Sequence, residues 1–306
     1  MQQGIANSTC DVLSMLEAFH SVVIDVRDFE TGVEDYARLL GRRPFRVERN
    51  AARATHSALF ALANTWLEVR CGDPPESAAQ RRFEQGASGL AGLRLTLAES
   101  PGLLDGQTIA GLLASRGIAF TGPVREEAEG LKGAGGREWS VVRLDAGATR
   151  SIPVELIAEV RHGGAAPVLE EAAPPADPSA RVRALDHVVV LSADLEATRA
   201  VYAEALGLRL ALDRSFDKRG LRLLFFRLGG VTIEVGGRLD APPSLGQGDR
   251  FGGLAWQVPD IDVARARLHH EGFDVSRVRD GHKPGTRVCT VRDPVHEVPT
   301  LLIEPV

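Results

Sequence analysis

The chain has 306 residues, 44% of them hydrophobic and 25% charged, with a formal net charge of −5 at pH 7. That length suits two domains, each able to bury its own core. The acidic balance gives no reason to expect nucleic acid or an anionic membrane as partner. Cys10, Cys71 and Cys289 are odd in number and far apart, so no disulfide framework or CxxC motif is expected. The opening residues lack a basic leader followed by an apolar run, and no stretch approaches the ~20 apolar residues that span a bilayer. The expected location is cytoplasmic.

Residues 1–17 read as a leader or a short packing segment. In 18–161, strands are expected at Leu93–Leu97, Trp139–Leu144 and Ile152–Ile157, with a helix at Ile109–Arg116 stopped by Gly117. The stretch 162–183 concentrates Ala, Pro, Gly and acids, and reads as an inter-domain linker, partly extended by its prolines. In 184–306, Asp186–Leu191 is an apolar strand. Asp194 is placed to cap a helix that Gly207 ends. Leu208–Leu212 suits a strand, and Arg222–Leu228 with Val231–Val235 suits a hairpin closed by Gly229-Gly230. Gly253–Val258 is expected as a strand and Asp262–Glu271 as a helix stopped by Gly272. Weak strand material follows at Phe273–Ser276, then strands at Arg287–Val291 and Pro299–Ile303.

The two halves repeat. Residues 20–69 fall on 186–235 at a constant offset of 166, without a gap, so that Asp28 meets Asp194, Tyr36 meets Tyr202, Gly41 meets Gly207 and Glu68 meets Glu234. Looser matches follow at an offset of 155 for the second helices and 146 for the tails. The expected fold class is α+β: four βαβββ modules in two domains, 18–161 and 184–306.

Alternation gives the faces. His187, Val189 and Leu191 share one face of their strand. The two-residue turn sets Leu228 opposite Val231, Arg227 opposite Thr232, Phe226 opposite Ile233 and Phe225 opposite Glu234. Glu234 therefore shares a mixed face with Phe225, Arg227 and Thr232. Leu224, Phe226, Ile233 and Val235 form an apolar face expected under the helices.

The segments LDHVVVLSADLEATRAVYAEALGLRL, LLFFRLGGVTIEVGG, FGGLAWQVPDIDVARARLHHEGFDV and TRVCTVRDPVHEVPTLLIEP resemble the vicinal oxygen chelate superfamily of glyoxalases, bleomycin-resistance proteins and extradiol dioxygenases. The resemblance implies paired modules curving around a cavity, where the enzymes usually hold a divalent metal such as Zn, Fe, Mn or Ni. The family's four ligand positions fall on His187, Glu234, Gly253 and Leu301 in the second domain, and on Ser21, Glu68, Gly92 and Glu155 in the first. His20 lies one place before its ligand position, on the opposite face of a regular strand. Neither domain carries a full set. Glu68, Glu155, His187 and Glu234 would make one only if their strands met.

The sequence leaves two functions open. One is a glyoxalase- or dioxygenase-like enzyme, a lyase, isomerase or dioxygenase by the resemblance, acting on a small cytosolic metabolite through His187 and Glu234. The other is a metal-free small-molecule binding protein resembling bleomycin-resistance proteins. Phe225, Arg227 and Gln257 are candidate cavity residues, and the loop holding His282 and Arg287, with His296, is expected near the cavity mouth. Tyr36 and Tyr202 are expected in the core and His269 and His270 in solvent. Beyond a small molecule, a second copy of the chain is the candidate partner.

Overall fold

The computed structural model describes residues 15–72, 89–98, 106–130, 136–159, 177–239 and 247–305. In the first half the order is β1 (Leu16–Asp25), α1 (Phe29–Leu40), β2 (Arg46–Asn50), β3 (Thr55–Ala61), β4 (Trp66–Gly72), β5 (Leu90–Leu97), α2 (Gly106–Ser115), β6 (Phe120–Gly130), β7 (Arg137–Leu144) and β8 (Val154–Glu159). The second half runs β9 (Ala184–Leu191), α3 (Leu195–Arg199, continued by a π-helical turn at Ala200–Ala205), β10 (Arg209–Phe216), β11 (Leu221–Leu228), β12 (Val231–Arg238), β13 (Arg250–Gln257), α4 (Ile261–His270), β14 (Arg279–Asp280), β15 (Arg287–Val295) and β16 (Val298–Glu304).

The helices form where the sequence supplies both caps and a stripe. Asp28 accepts from Thr31 N at 2.8 Å, and α1 ends at Gly41 with φ 69°, the left-handed conformation that glycine adopts without a Cβ penalty. Its buried Gly32, Tyr36, Leu39 and Leu40 recur at helical spacing. Asp194 caps α3 in the same way, accepting from Ala197 N at 3.0 Å. The apolar faces of both sheets and the helices above them form one continuous core, from Met15 to Leu302. Trp256, Tyr36, Tyr202, Phe60 and Phe226 are its largest fully buried side chains. Each large apolar side chain taken fully out of water contributes roughly 1.5–3 kcal/mol.

Eight strands of the first half close into a barrel, ordered β1-β4-β3-β2-β6-β7-β8-β5. The second half is an eight-stranded sheet, ordered β10-β11-β12-β9-β13-β16-β15-β14. Corresponding pairs match: β1 with β4 and β9 with β12 are parallel, while β1 with β5 and β9 with β13 are antiparallel. The difference lies at the edges. Pairing of Glu48 with Gly130 and Arg49 with Glu129 joins β2 to β6 and closes the barrel. The counterpart β14 has two residues, and among the described residues β10 pairs with β11 alone.

The halves grip each other through two related turns. Arg150 and His296, equivalent at the offset of 146, both have positive φ, 53° and 48°. His296 Nε2 lies 3.1 Å from Asp35 Oδ2 and its ring stacks on Tyr36, whose hydroxyl donates to Val295 O. Arg150 Nε reciprocates, 3.2 Å from both Thr198 Oγ1 and Asp249 Oδ1.

The hairpin registers are those expected from the glycine turn, Phe225 opposite Glu234 among them. Other expectations need correction. Phe273–Ser276 forms no strand, and Val275 contributes an isolated bridge to Val291. β6 was not expected from sequence, because its outward side chains are charged and exposed. The end of the expected linker is folded: Pro178–Ala180 is a 3-10 turn, Val182 is buried, and Arg183 N donates to Gln257 O. Residues 1–14 and 160–176, which hold most of the expected leader and linker, lie outside the described residues.

Candidate functional site

The strand registers set the two halves side by side. In the barrel, Ser21 pairs with Arg94, Arg94 with Glu155, and Glu155 with Arg143. In the open sheet, His187 pairs with Ala255, Ala255 with Leu301, and Leu301 with Thr290. One step along, Glu68 pairs with Val23 and Glu234 with Val189. Only the glutamate is kept. Where the barrel has Ser, Arg, Glu and Arg, the open sheet has His, Ala, Leu and Thr.

The barrel interior is closed by its own charges. Arg94 bridges Glu68 and Glu155, with Nε 2.9 Å from Glu155 Oε2. Arg53 joins Glu155 at 2.9 Å to Glu126 at 2.6 Å, and Arg143 contacts the same two carboxylates. Glu48 lies 2.7 Å from both Arg46 and Arg137. Ser57 donates to Glu68 Oε1 at 2.9 Å. Beside these charges sits a small apolar cluster of Ala128, Trp139, Val141 and Ile157. Burial alone would raise the Glu155 pKa, but Arg94 and Arg53 outweigh it and hold the carboxyl down to about 2. Glu68 is likewise held below its ordinary value, burial being outweighed by Arg94 and Arg70. Two of the expected metal ligands are thus paired with guanidinium groups.

The open sheet presents a different surface. Its inward face carries His187, Glu234, Val189, Phe225 and Leu301, all part-exposed, with exposed Arg227 at the end of the hairpin. The Glu234 side chain is 24% exposed where its counterpart Glu68 is 3% exposed. His187 Nε2 lies 3.8 Å from Glu234 Oε2, an ion-pair distance too long for a hydrogen bond.

Asp186 was missed by the sequence reading. A register shift between Ala255 and Trp256 skips Asp186, because Ala255 pairs with His187 and Trp256 with Leu185. Such a bulge breaks strict alternation and re-aims a side chain. Asp186 Oδ1 reaches His187 Nδ1 at 2.8 Å, and Oδ2 accepts from Gln257 Nε2 at 2.8 Å. Burial would raise the Asp186 pKa, but the hydrogen bonds from His187 and Gln257 outweigh it and keep the carboxyl below its ordinary value. An ionised carboxylate only accepts, so Nδ1 carries a proton, and Nε2 is the ring nitrogen that faces Glu234. The same irregularity occurs in β1, where Phe19 pairs with Leu95 and Ser21 with Arg94. There His20 is the skipped residue; it is buried, and its Nδ1 lies 3.1 Å from Oγ of Ser21, which holds the position equivalent to His187.

Gln257 is engaged by Asp186. Arg287 binds Asp262 at 2.6 Å and Glu304 at 3.5 Å, beside the start of α4. His296 belongs to the contact between the halves described above. His282 contacts Arg219, 3.2 Å from Nη1 to Nε2, and packs by Phe216, beyond β10. Tyr36 and Tyr202 are buried, and His269 and His270 exposed, as expected.

The residues do not fit the metal that the resemblance implies. Glu68 and Glu155 lie in the barrel, His187 and Glu234 in the open sheet, and among the described residues no three His, Cys, Asp or Glu side chains gather around a common point. Catalytic zinc sites use three protein ligands, and facial-triad iron sites do likewise. A third ligand at position 253 is sterically barred: Gly253 has φ +139°, and a Cβ there would lie 2.5 Å from Pro299 O.

Residues 186–290 match the family model described as the Glyoxalase/Bleomycin resistance protein/Dioxygenase superfamily. The uncharacterized protein YwkD of Bacillus subtilis (strain 168) is 26% identical over 116 residues, 37% of this chain and 91% of that protein. Among solved structures, a mutant of 4-hydroxymandelate synthase from Streptomyces coelicolor matches at a TM-score of 0.65 and 17% identity, covering 94% of this chain and 92% of its own. Methylmalonyl-CoA epimerase from Mycobacterium tuberculosis matches at a TM-score of 0.35 and 25% identity, covering 41% of this chain and 89% of its own. The chain has the vicinal oxygen chelate fold.

Proposed function

We propose that this chain binds a small organic molecule on the inward face of its second sheet, at a site built without a divalent metal. Four βαβββ modules make up the two domains, 18–161 and 184–306, and only the second keeps a site. The observation that carries this reading is the register comparison. At equivalent positions the barrel places Arg94 and Glu155, locked into ion pairs, while the open sheet places Ala255 and Leu301 beside a part-exposed His187 and Glu234. Replacing two charged side chains by alanine and leucine turns a self-neutralising interior into a mixed apolar and polar surface, the kind that binds organic ligands. The first domain then acts as scaffold, held to the second through α1, α3 and the two related turns.

A second reading, an enzyme that moves a proton, is favoured by one specific observation. Asp186 holds His187 at 2.8 Å through Nδ1, leaving Nε2 as a base aimed along the face toward Glu234. In that reading His187 takes a proton from the ligand and Asp186 stabilises the imidazolium, while Arg227, exposed on the same face, meets developing negative charge.

A thermal-shift screen of metal-stripped protein against small organic compounds tests the first reading. A ligand that binds the folded state raises the apparent Tm by mass action, and the rise should vanish in Phe225→Ala and His187→Ala. Hits whose shifts survive both substitutions bind elsewhere and contradict it. Turnover of any hit, lost in His187→Ala, would select the enzyme.

A further inference from the structure

In the barrel, Arg46 and Arg137 meet Glu48, Arg70 meets Asp25, and Arg94 meets Glu155. The second sheet has lost these acids. At the offset of 166 Glu48 becomes Arg214 and Asp25 becomes Leu191, and the registers put Leu301 where Glu155 stands. Arginines have gathered in their place. Arg209 lies opposite Arg227, Arg214 opposite Leu223 and Arg250 opposite Leu191, all on the inward face. The four are exposed, and none makes an ion pair among the described residues. Over β9–β13 the acids are Asp186, Glu234 and Asp213. Asp213 is on the other face, bound by Arg222 at 2.6 Å, and Asp186 is held by His187 and Gln257. Four guanidinium groups against two carboxylates leave the inward face net positive, whichever protonation state His187 takes.

Arg209 and Arg227 stand out among the four. Directly opposite side chains on paired strands have Cβ atoms ~5 Å apart, and like charges there destabilise the pair. Ala61 holds the position of Arg227 in the first half, so this arginine pair belongs to the second sheet alone. Thr232 and then His187 follow across the strands, which sets the two guanidinium groups beside the Asp186–His187 pair. The next residues inward along β10 and β11 are apolar: Leu212, 48% exposed, lies opposite Phe225. The sheet also curls over this face. His282, just past β14 at one edge, contacts Arg219 and packs by Phe216 at the other, so the inward face lines a trough. Paired guanidinium forks beside an apolar floor suit an anionic group carried on an apolar body.

We infer that the ligand of this site is an organic anion, a carboxylate or phosphate on an apolar or aromatic body, whose charged group is clamped between Arg209 and Arg227 and whose body lies on Phe225 and Leu212. The inference rests on the proposed binding site and names its ligand class.

Four probes built on one ring test it: benzoate, phenyl phosphate, benzamide and benzamidine, titrated into the metal-stripped full chain and followed by calorimetry and by the His187 ring signals in NMR. At least one of the two anions should move those signals and bind roughly tenfold or more tighter than benzamide, the gain of one charge-assisted contact. Whichever anion binds more tightly names the charged group. Arg209→Gln and Arg227→Gln should each erase most of the preference, and Arg227→Lys, which keeps the charge without the fork, should retain part of it. Both side chains are exposed and each substitution relieves a repulsion, so the variants fold. Arg199→Gln, on α3 behind the sheet, should leave the preference intact. Benzamide or benzamidine binding at His187 as tightly as the anions would leave the site standing and overturn the anion. A preference that survives in both glutamine variants, or is lost equally in Arg199→Gln, overturns the clamp. If none of the four disturbs His187, both the ligand class and the site fall.

Discussion

Replacing Arg94 by methionine removes the cation that Glu68 and Glu155 share while roughly keeping the volume. Glu155 retains Arg53 and Arg143, but Glu68, 3% exposed, loses its ion pair with Arg94 and keeps the Ser57 hydroxyl. Stranding a buried charge in this way costs ~3–5 kcal/mol. At ~2–4 °C per kcal/mol for a domain of this size, Tm should fall on the order of 10 °C. The deficit has a pH signature. In the wild type, the Glu155 pKa is held near 2, below its ordinary 4.5. That carboxylate therefore contributes about 3 kcal/mol above pH 4.5, lost as pH falls through 4.5 toward 2. In Arg94→Met the burial of Glu68 loses its largest offset, with Arg70 and Ser57 still acting, so its folded pKa rises and protonation relieves part of the cost. Urea unfolding should thus show the largest gap between variant and wild type at pH 7, narrowing by pH 4. Adding Glu68→Gln should recover much of the loss at neutral pH. A deficit below about 1 kcal/mol, or one of equal size at both pH values, would refute the view that the barrel is held by a buried ionic network.

Three further outcomes are expected. Gly253→Ala should cost about 2 kcal/mol or more, because φ +139° and a Cβ 2.5 Å from Pro299 O both oppose it. Gly92→Ala, whose Cβ would lie 3.3 Å from Pro153 O, should cost less; equal urea midpoints would contradict the steric argument. Asp186→Leu should turn the His187 side chain from a single Nδ1-protonated tautomer into a mixture, read from its ring ¹⁵N shifts; an unchanged spectrum would mean that Asp186 does not orient the ring. Elemental analysis after exposure to Zn²⁺, Mn²⁺, Fe²⁺ and Ni²⁺ should find well under one equivalent per chain, and a full equivalent lost in His187→Ala would restore the metal centre.

The parts legible from sequence are those ruled by local chemistry. The glycine pair set the β11–β12 register, Asp28 and Asp194 marked helix starts, and the offset of 166 announced the repeat. What escaped was non-local or irregular. Arg94 sits in an apolar run, LAGLRLTL, where a single arginine gives no sign that it answers glutamates on two other strands. β6 has outward charges in place of clean alternation, so the strand that closes the barrel carries the weakest strand signal. Asp186 escaped because a bulge interrupts the alternation that assigns faces. A scan for arginines on strands whose counterparts are alanine would have flagged Arg94 against Ala255.

The divergence of the two halves is tested most directly by soaking crystals of the full chain in several small organic solvents and in divalent cations, and mapping where each settles. Organic probes should cluster against His187, Glu234 and Phe225 on the second sheet, and the barrel interior around Arg94 should take up nothing. A probe lodged inside the barrel, or a cation held between Glu68 and Glu155, would contradict the account.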